Sequence, residues 1–175
     1  MRSTGWLLAA ILILTTLGCD RLTKHLASTR LADIPSQSFL GDTFRLEYAE
    51  NTGAFLSLGA TLPDRMRTGL LTYGVALGLI VVALVAVKKR WMGIPLAGAA
   101  LIWAGGVSNL VDRAVRGSVV DFLNVGVGSL RTGIFNVADV AIMAGAVLIA
   151  VSDNAGRNSH PPAKSMTTRL TDSTK

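Results

Sequence analysis

The chain has 175 residues, of which 50% are hydrophobic and 16% charged, and its mean hydropathy is +0.48. Soluble domains carry about 25% charged residues, so this composition argues against a water-soluble protein. The net charge is +6, but Lys and Arg flank apolar stretches and form no basic stripe of the kind that predicts a nucleic-acid partner. One cysteine and two histidines exclude an internal disulfide and a zinc site built from Cys and His.

Four apolar segments are each long enough to cross a membrane as a helix. At about 1.5 Å of rise per residue, about 20 residues match the roughly 30 Å of hydrocarbon in a bilayer. We therefore predict a mainly α-helical membrane protein with four transmembrane helices, at about residues 4–26, 66–87, 91–111 and 135–151. They form a single membrane domain over residues 1–152, followed by a disordered polar tail over residues 153–175.

The first span imitates a secretory signal peptide with a lipid-modified cysteine. Arg2 precedes an apolar run that ends in Thr16-Leu17-Gly18-Cys19, as in such signal peptides. However, Thr16 stands where lipobox sequences favour Leu, and helical character continues past Cys19 without a turn signal. We expect the first span to be retained, and a lipoprotein cleaved at Cys19 is the alternative.

Residues 28–65 predict a small extracytoplasmic β-sheet. Turn-forming residues recur through this segment, and residues 44–48 alternate between apolar side chains and polar or small ones, which is the period of a strand. We expect residues 54–58 to pair with this strand across a turn at residues 51–53. Residues 112–133 are predicted as a loop.

The connection between the second and third spans indicates the orientation of the chain. Lys88, Lys89 and Arg90 are consecutive cations in this short connection, and cations in short loops stay in the cytoplasm. With four spans, both termini are then cytoplasmic. The 28–65 segment and the 112–133 loop are expected to face outward together.

Four carboxylates lie at the outer ends of the spans or in the outward loop, namely Asp20, Asp112, Asp121 and Asp139. A carboxylate at the centre of a span costs about 2.5–3.5 kcal/mol to insert, so each needs a partner or a function. One outward-facing site could collect all four. Asp121 lies between apolar neighbours, which raise the pKa of a carboxyl group.

Asp121 and Asp139 can be interpreted as a catalytic pair. If they face each other, their repulsion keeps one proton between them, so one carboxylate can activate water while the other protonates a substrate carbonyl. Such a pair hydrolyses amides. By residue type and spacing alone, each aspartate can also be a helix cap, a proton-relay group or a partner for Arg113.

One face of the third span is polar at its outer end. Asn109, Asp112, Arg113 and Arg116 follow one another at i, i+3, i+4 and i+7. A solvated interfacial face with local ion pairs explains Asp112 and Arg116 as well as a functional site does. Asn109 can equally form a structural hydrogen bond between helices.

Five blocks in order resemble the lipoprotein signal peptidase family, also called signal peptidase II, over about residues 5–152. The blocks are Asp20-Arg21-Leu22-Thr23-Lys24, Asn51-Thr52-Gly53-Ala54-Phe55, Gly105-Gly106-Val107-Ser108-Asn109-Leu110-Val111-Asp112-Arg113, Val119-Val120-Asp121-Phe122 and Phe135-Asn136-Val137-Ala138-Asp139. The departures of this sequence from the family's pattern are minor. Many members have an extra Ala after the position of Gly53, and Ser108 and Val140 stand where Gly and Ser are commoner.

The resemblance implies an aspartyl protease with four transmembrane helices and a small periplasmic β-cradle, working without a metal or cofactor. It implies that Asp121 and Asp139 are the catalytic pair. It further implies a set of residues that line the site, namely Asp20, Asn51, Asn109, Arg113 and Asn136. Lys24 also matches, although at i+4 from Asp20 it can simply pair along the helix.

The substrate implied by the resemblance is a prolipoprotein that carries diacylglycerol on its cysteine and is cut before that cysteine. The expected location is the bacterial inner membrane with the site toward the periplasm, and the expected partners of this monomer are its substrate and membrane lipid. The rival hypothesis is a proton-coupled transporter or assembly protein that uses Asp20 and Asp139 for relay or packing. A transporter of this size is expected to oligomerise or to show an internal repeat, and no repeat is visible between the two halves.

Overall fold

The computed structural model describes residues 2–53, 63, 66 and 69–158. Its helices are α1 (Arg2–Arg30), α2 (Val75–Lys88), α3 (Ile94–Arg116) and α4 (Val137–Asn158). A π-helical turn, Leu70–Gly74, leads directly into α2. Its strands are β1 (Gln37–Phe39), β2 (Phe44–Asn51), β3 (Val119–Val127) and β4 (Leu130–Arg131).

The described residues include four helices that are long and apolar enough to cross a membrane, at Ser3–Arg30, Leu70–Lys88, Ile94–Arg116 and Val137–Asn154. They carry large exposed apolar side chains such as Leu14, Leu77 and Met143, as expected of helices surrounded by lipid tails. The prediction of a mainly α-helical protein with four spans and a small sheet is confirmed.

The central helix of the bundle is α3, which packs against α1, α2 and α4. It is also the most buried of the four spans. Its buried side has mostly small residues, including Gly98, Ala99, Ala100, Ala104 and Gly105. Small residues let helix backbones approach closely, and this packing drives helix association in lipid, where the hydrophobic effect contributes little.

The contact between α3 and α4 leaves no space for side chains at several glycines. A Cβ on Gly98 would lie 2.7 Å from the carbonyl oxygen of Gly145, and one on Gly105 would overlap the carbonyl oxygen of Ala138. Because these neighbours are backbone atoms, they cannot rotate away. The glycines therefore set the distance between the two helices and hold the first turn of α4 against α3.

The sheet is antiparallel with the strand order β1-β2-β3-β4. The strand predicted from the alternation of residues 44–48 is confirmed, because these residues lie in β2. In the pairing of β2 with β3, Ala49 faces Asp121 and Asn51 faces Val119. The register therefore places the end of β2 beside Asp121.

The sheet joins the helical bundle through β3, whose residues are buried on both faces over most of their length. Val120 and Phe122 pack in one apolar cluster with Ala27 of α1. This contact fastens the sheet to one end of the bundle, here called the sheet end. Residues 28–65 and 112–133, which are predicted to face outward together, do lie together, since β1 and β2 come from the first segment and β3 and β4 from the second. Their outward orientation stays a prediction.

The third span has different bounds from the predicted 91–111. Trp91 lies outside α3, because positive φ angles at Arg90 (53°) and Gly93 (61°) break the helix before Ile94. The helix continues to Arg116 and ends at Gly117, which has a left-handed φ of 75° and acts as the C-cap.

The segment 112–133 is not a loop, because it contains the end of α3 and both β3 and β4. A strand buried on both faces has no alternation of apolar and polar residues, so the period-2 pattern that identified β2 is absent from β3.

The boundary of the predicted tail is also different. Residues 153–158, predicted to be disordered, belong to α4, because no proline interrupts the helix before Pro161. The remainder of the predicted tail, 159–175, lies outside the described residues, as does the predicted pairing strand at 54–58.

We expect Gly98→Ala to lower the free energy of unfolding by about 1–3 kcal/mol, because the added methyl group must push α3 and α4 apart. Thermal unfolding in detergent, followed by circular dichroism, measures this loss. The matched control is Gly78→Ala in α2, where a Cβ meets nothing within 4 Å, so the higher helix propensity of Ala should leave stability unchanged or slightly improved. Equal melting temperatures for the two variants would contradict the close packing of α3 and α4.

Candidate active site

Asp121 is buried on β3, with 2% of its surface exposed. Two side-chain amides hold its carboxylate. Nδ2 of Asn51 donates to Oδ2 over 2.9 Å, and Nδ2 of Asn136 donates to Oδ1 over 2.6 Å. Since Asn51 ends β2, the pairing of β2 with β3 itself brings this amide to the carboxylate.

Asp139 lies in the first turn of α4, in an arrangement similar to a capping box. Asn136 precedes the helix, and its Oδ1 accepts a hydrogen bond of 3.0 Å from the backbone N–H of Asp139. In return, Oδ2 of Asp139 accepts a bond of 3.1 Å from the backbone N–H of Asn136. The sequence Asn136-Val137-Ala138-Asp139 therefore starts the helix and orients the carboxylate at the same time.

Asn136 joins the two aspartates. It is fully buried, at 0% exposure, and it binds Asp121 through Nδ2 and Asp139 through Oδ1 and the backbone N–H. The two carboxylates therefore lie on either side of a single asparagine. Carboxylates held this close repel each other when both are ionised, which favours one shared proton.

The pKa of the Asp121 carboxyl is raised to about 6. Burial is the main cause, because it disfavours the charged form, and the negative charge of Asp139 raises the pKa further. The hydrogen bonds from Asn51 and Asn136 lower it. With a pKa this near neutrality, Asp121 can take up and release a proton under ordinary conditions.

Asn109 and Arg113 complete the site from α3. Nδ2 of Asn109 donates to Oδ1 of Asp139 over 2.9 Å. The guanidinium of Arg113 interacts electrostatically with both Asp139 and Asp121, and its Nη2 donates to the carbonyl oxygen of Gly53 over 3.3 Å. Nε of Arg113 is buried without a hydrogen-bond partner in the described part of the chain, so a donor remains available beside the pair.

Asp20 lies one layer behind the two aspartates. Its Oδ1 accepts a bond of 2.8 Å from the backbone N–H of Ala138, and its Oδ2 accepts one of 2.6 Å from Oγ of Ser108. Asp20 therefore caps the N-terminus of α4 from a different helix, α1. Its effect on Asp139 passes through the first turn of α4.

The interpretation of Asp112 as part of a solvated face is wrong. Asp112 is 2% exposed and forms ion pairs with Arg21 at 2.5 Å and with Lys24 at 2.8 Å. Both partners lie on α1, and the spacing of residues within α3 gives no sign of them. Arg116 is exposed, as that interpretation predicts.

The structure thus brings together six of the seven residues proposed from the sequence, namely Asp121, Asp139, Asn51, Asn109, Arg113 and Asn136. Sequence reasoning missed the bonds of Ser108 and Arg21, and it found only one partner of Lys24. The predicted pairing of Lys24 with Asp20 is confirmed at 2.7 Å, but Lys24 also donates to Oδ1 of Asn109.

Among the described residues, no group of three or more His, Cys, Asp or Glu is arranged to hold a metal ion.

Comparison with known proteins shows that this chain is similar to signal peptidases of one family. A family model described as signal peptidase (SPase) II matches residues 12–153. The chain is 34% identical to the lipoprotein signal peptidase of Pelodictyon phaeoclathratiforme over 157 residues, covering 82% of this chain and 88% of the relative. It is also 34% identical to the lipoprotein signal peptidase of Yersinia enterocolitica over 154 residues, covering 84% of this chain and 86% of the relative.

Two solved structures described as bacterial membrane enzymes share the fold. One superposes with a TM-score of 0.77 at 20% identity, covering 89% of this chain and 93% of the other. The second has a TM-score of 0.71 at 21% identity, with coverage of 82% and 90%. The arrangement of four helices and a small sheet is therefore shared with membrane enzymes of low sequence identity.

We expect the pKa of Asp121 to fall below its value of about 6 in Asp139→Asn, because the substitution removes a like charge. In Asn51→Ala the pKa should rise, because a hydrogen bond to the ionised form is lost. Infrared difference spectroscopy of the carboxyl C=O stretch follows the titration, and Asp121→Asn identifies the band. Shifts of the same sign in the two variants would contradict this description of the site.

Proposed function

We propose that this chain, which belongs to the signal peptidase II family, cleaves lipoprotein signal peptides with Asp121 and Asp139 as its catalytic pair. The family membership confirms the resemblance seen in the sequence. The observation that carries this assignment is the buried Asn136, which binds both carboxylates. Two aspartates that share one proton supply the acid and the base of amide hydrolysis.

In the proposed mechanism, the ionised carboxylate removes a proton from the attacking water, and the protonated carboxyl donates to the scissile carbonyl oxygen. Water adds to the carbonyl carbon and gives a tetrahedral intermediate. The intermediate collapses when the leaving nitrogen takes up a proton from the pair, so one water is consumed for each peptide bond broken. The positive charge of Arg113 beside the pair stabilises the negative charge that develops on the carbonyl oxygen.

The remaining polar residues position the pair. Asn51 and Asn136 fix the orientation of Asp121, and Asn109 does the same for Asp139. Both carboxylates are already oriented before the substrate binds, so these side chains need not reorient during the reaction step. Asp20 contributes at a distance, through the backbone of α4.

The proposed substrate is a prolipoprotein with diacylglycerol on its cysteine, cut before that cysteine. Its lipid chains are held in the leaflet next to the sheet end, and its signal peptide crosses the bilayer as a helix beside the spans. The exposed apolar side chains of the spans provide a surface for both the lipid and the signal peptide. The lipid anchor then sets which peptide bond reaches the aspartates.

This multi-pass membrane protein is proposed to have both termini in the cytoplasm and the catalytic pair at the periplasmic face of the inner membrane. The exposed cations Lys88, Lys89 and Arg90 precede α3, whereas Asp112 lies near its other end. A helix of 23 residues separates these ends by about 34 Å, and cations of short loops favour the cytoplasm.

A monomer is sufficient for the proposed chemistry. The groups around the two aspartates come from β2, α3 and the start of α4 of one chain. The hypothesis of a lipoprotein cleaved at Cys19 explains the contacts less well. Cleavage at Cys19 would divide a continuous α1 whose Asp20 and Lys24 are bonded to α4 and α3.

We expect Asp121→Asn and Asp139→Asn each to reduce cleavage at least about a hundredfold, because Asn keeps the side-chain volume but cannot transfer the proton. The assay is a gel shift with purified protein in detergent and diacylglyceryl-modified prolipoprotein. Circular dichroism and thermal unfolding check that the variants are folded.

The matched control is Asp42→Asn, which changes a carboxylate on the sheet that is bonded to Arg45 and Ser38. It should cleave at the native rate. Native-like cleavage by both variants, or no cleavage by a folded native chain, would overturn the assignment of the pair.

We expect cysteine labelling to confirm the orientation. In a Cys19→Ser chain, a membrane-impermeant maleimide should label Ser38→Cys on the sheet from the outside of spheroplasts, because this position is exposed. It should label Lys89→Cys, which is also exposed, only after the membrane is permeabilised. The reverse pattern would place the active site at the cytoplasmic face.

A further inference from the structure

Lys24 is a buried cation for which the proposed mechanism has no role. It is 3% exposed, and its ammonium contacts three acceptors, namely Oδ2 of Asp20 at 2.7 Å, Oδ2 of Asp112 at 2.8 Å and Oδ1 of Asn109 at 2.7 Å. A lysine ammonium has three N–H donors and no acceptor. One N–H forms the hydrogen bond to Asn109, and the contacts with the two carboxylates are ion pairs.

The contact with Asn109 determines which way this amide is turned. Because the ammonium can only donate, it requires the amide oxygen, and Nδ2 is then directed to Oδ1 of Asp139 at 2.9 Å. Rotating the Asn109 amide by about 180° would place its Nδ2 against the Lys24 ammonium and its oxygen against the Asp139 carboxylate. Two hydrogen bonds would be replaced by two repulsive contacts.

Other groups act on the same carboxylate and amide. Nδ2 of Asn136 donates to Oδ1 of Asn109 over 3.2 Å, and Arg113 and Asp121 are the charged groups beside Asp139. The contact from Asn136 is neutral and longer than the contact from Lys24. A charge-assisted bond is stronger than a neutral one, so Lys24 dominates the orientation of the amide.

The surroundings of Lys24 balance its charge. Asp20 and Asp112 face it, and Arg21 pairs with the second oxygen of Asp112 at 2.5 Å. Two cations and two carboxylates thus form a neutral cluster behind the active site. Each buried charge of the cluster therefore has an opposite charge beside it.

We propose that Lys24 is a positioning residue for peptide cleavage, which holds the Asn109 amide with its N–H side toward the carboxylate of Asp139. The proposal rests on the proposed function, in which Asp139 is one of the catalytic pair. Lys24 touches neither catalytic carboxylate and acts through Asn109. Its loss should therefore slow the chemical step more than it weakens substrate binding.

The test is a double variant, Lys24→Met with Asp112→Asn, which removes one charge of each sign and so keeps the net charge of the cluster unchanged. We expect the double variant to stay folded by circular dichroism at the assay temperature, while its kcat for a diacylglyceryl prolipoprotein falls about 10-fold to 100-fold relative to Asp112→Asn at nearly constant KM. Asp112→Asn is the matched control, because Asp112 contacts Lys24 but not Asn109, and it should keep most of the native kcat.

The pH profile separates positioning from a purely structural role. The positive charge of Lys24 lowers the pKa of Asp121, so the kcat profile of the double variant should move to higher pH. Lys24→Arg keeps the charge and the N–H donors, and it should recover most of kcat with the native profile. Loss of stability alone would leave the profile in place.

Native kcat and a native pH profile in the folded double variant would overturn the role of Lys24. The activity of Asp121→Asn and Asp139→Asn separates this failure from a failure of the proposed function. If those two variants are inactive while the double variant is native-like, only the role of Lys24 is wrong. If they cleave normally, the catalytic pair itself is wrong.

Should the double variant fail to fold, the amide orientation is measured in the native protein by NMR of labelled asparagine side chains. The Nδ2 proton resonance of Asn109 should shift in Asp139→Asn, because the charged acceptor becomes neutral. An unchanged resonance would mean that the amide does not donate to Asp139, and the proposal would be overturned.

Discussion

The ion cluster of Lys24, Arg21, Asp20 and Asp112 supports the sheet end of the protein, because three of these charges, Lys24, Asp20 and Asp112, are buried and costly without partners. An unpaired charge at membrane depth costs several kcal/mol. The cluster satisfies all four only when α1 and α3 lie side by side. The first turn of α4 must also reach Asp20. Pairing of charges therefore couples the positions of three helices.

This coupling explains how the two proposed catalytic carboxylates, which come from different kinds of element, lie at fixed positions. Asp121 is carried by a strand and Asp139 by a helix, and Asn136 binds both. The sheet contributes Asn51 on one side, and α3 contributes Asn109 on the other. Each carboxylate is thus oriented before substrate binds, which is the condition for electrostatic preorganisation.

Close packing and polar bonding act together between α3 and α4. Gly98 and Gly105 bring the backbones so near that a single methyl group would not fit. At this separation, the side chain of Asn109 reaches the first turn of α4 and bonds Asp139. Larger residues would widen the gap and lengthen that bond, so the glycines of the membrane interior also contribute to the geometry of the candidate active site.

Hydropathy and short-range periodicity are properties of contiguous residues, so the sequence by itself determined the four spans and β2. The cost of burying a carboxylate also singled out four aspartates, and the resemblance to signal peptidase II implied that Asp121 and Asp139 are the catalytic pair among them. Only the tertiary structure decided that 119–127 is a strand, that Asp112 pairs with Arg21 across two helices, and how the Asn109 amide is turned. These features depend on contacts between residues far apart in the chain, and local periodicity carries no information about such contacts.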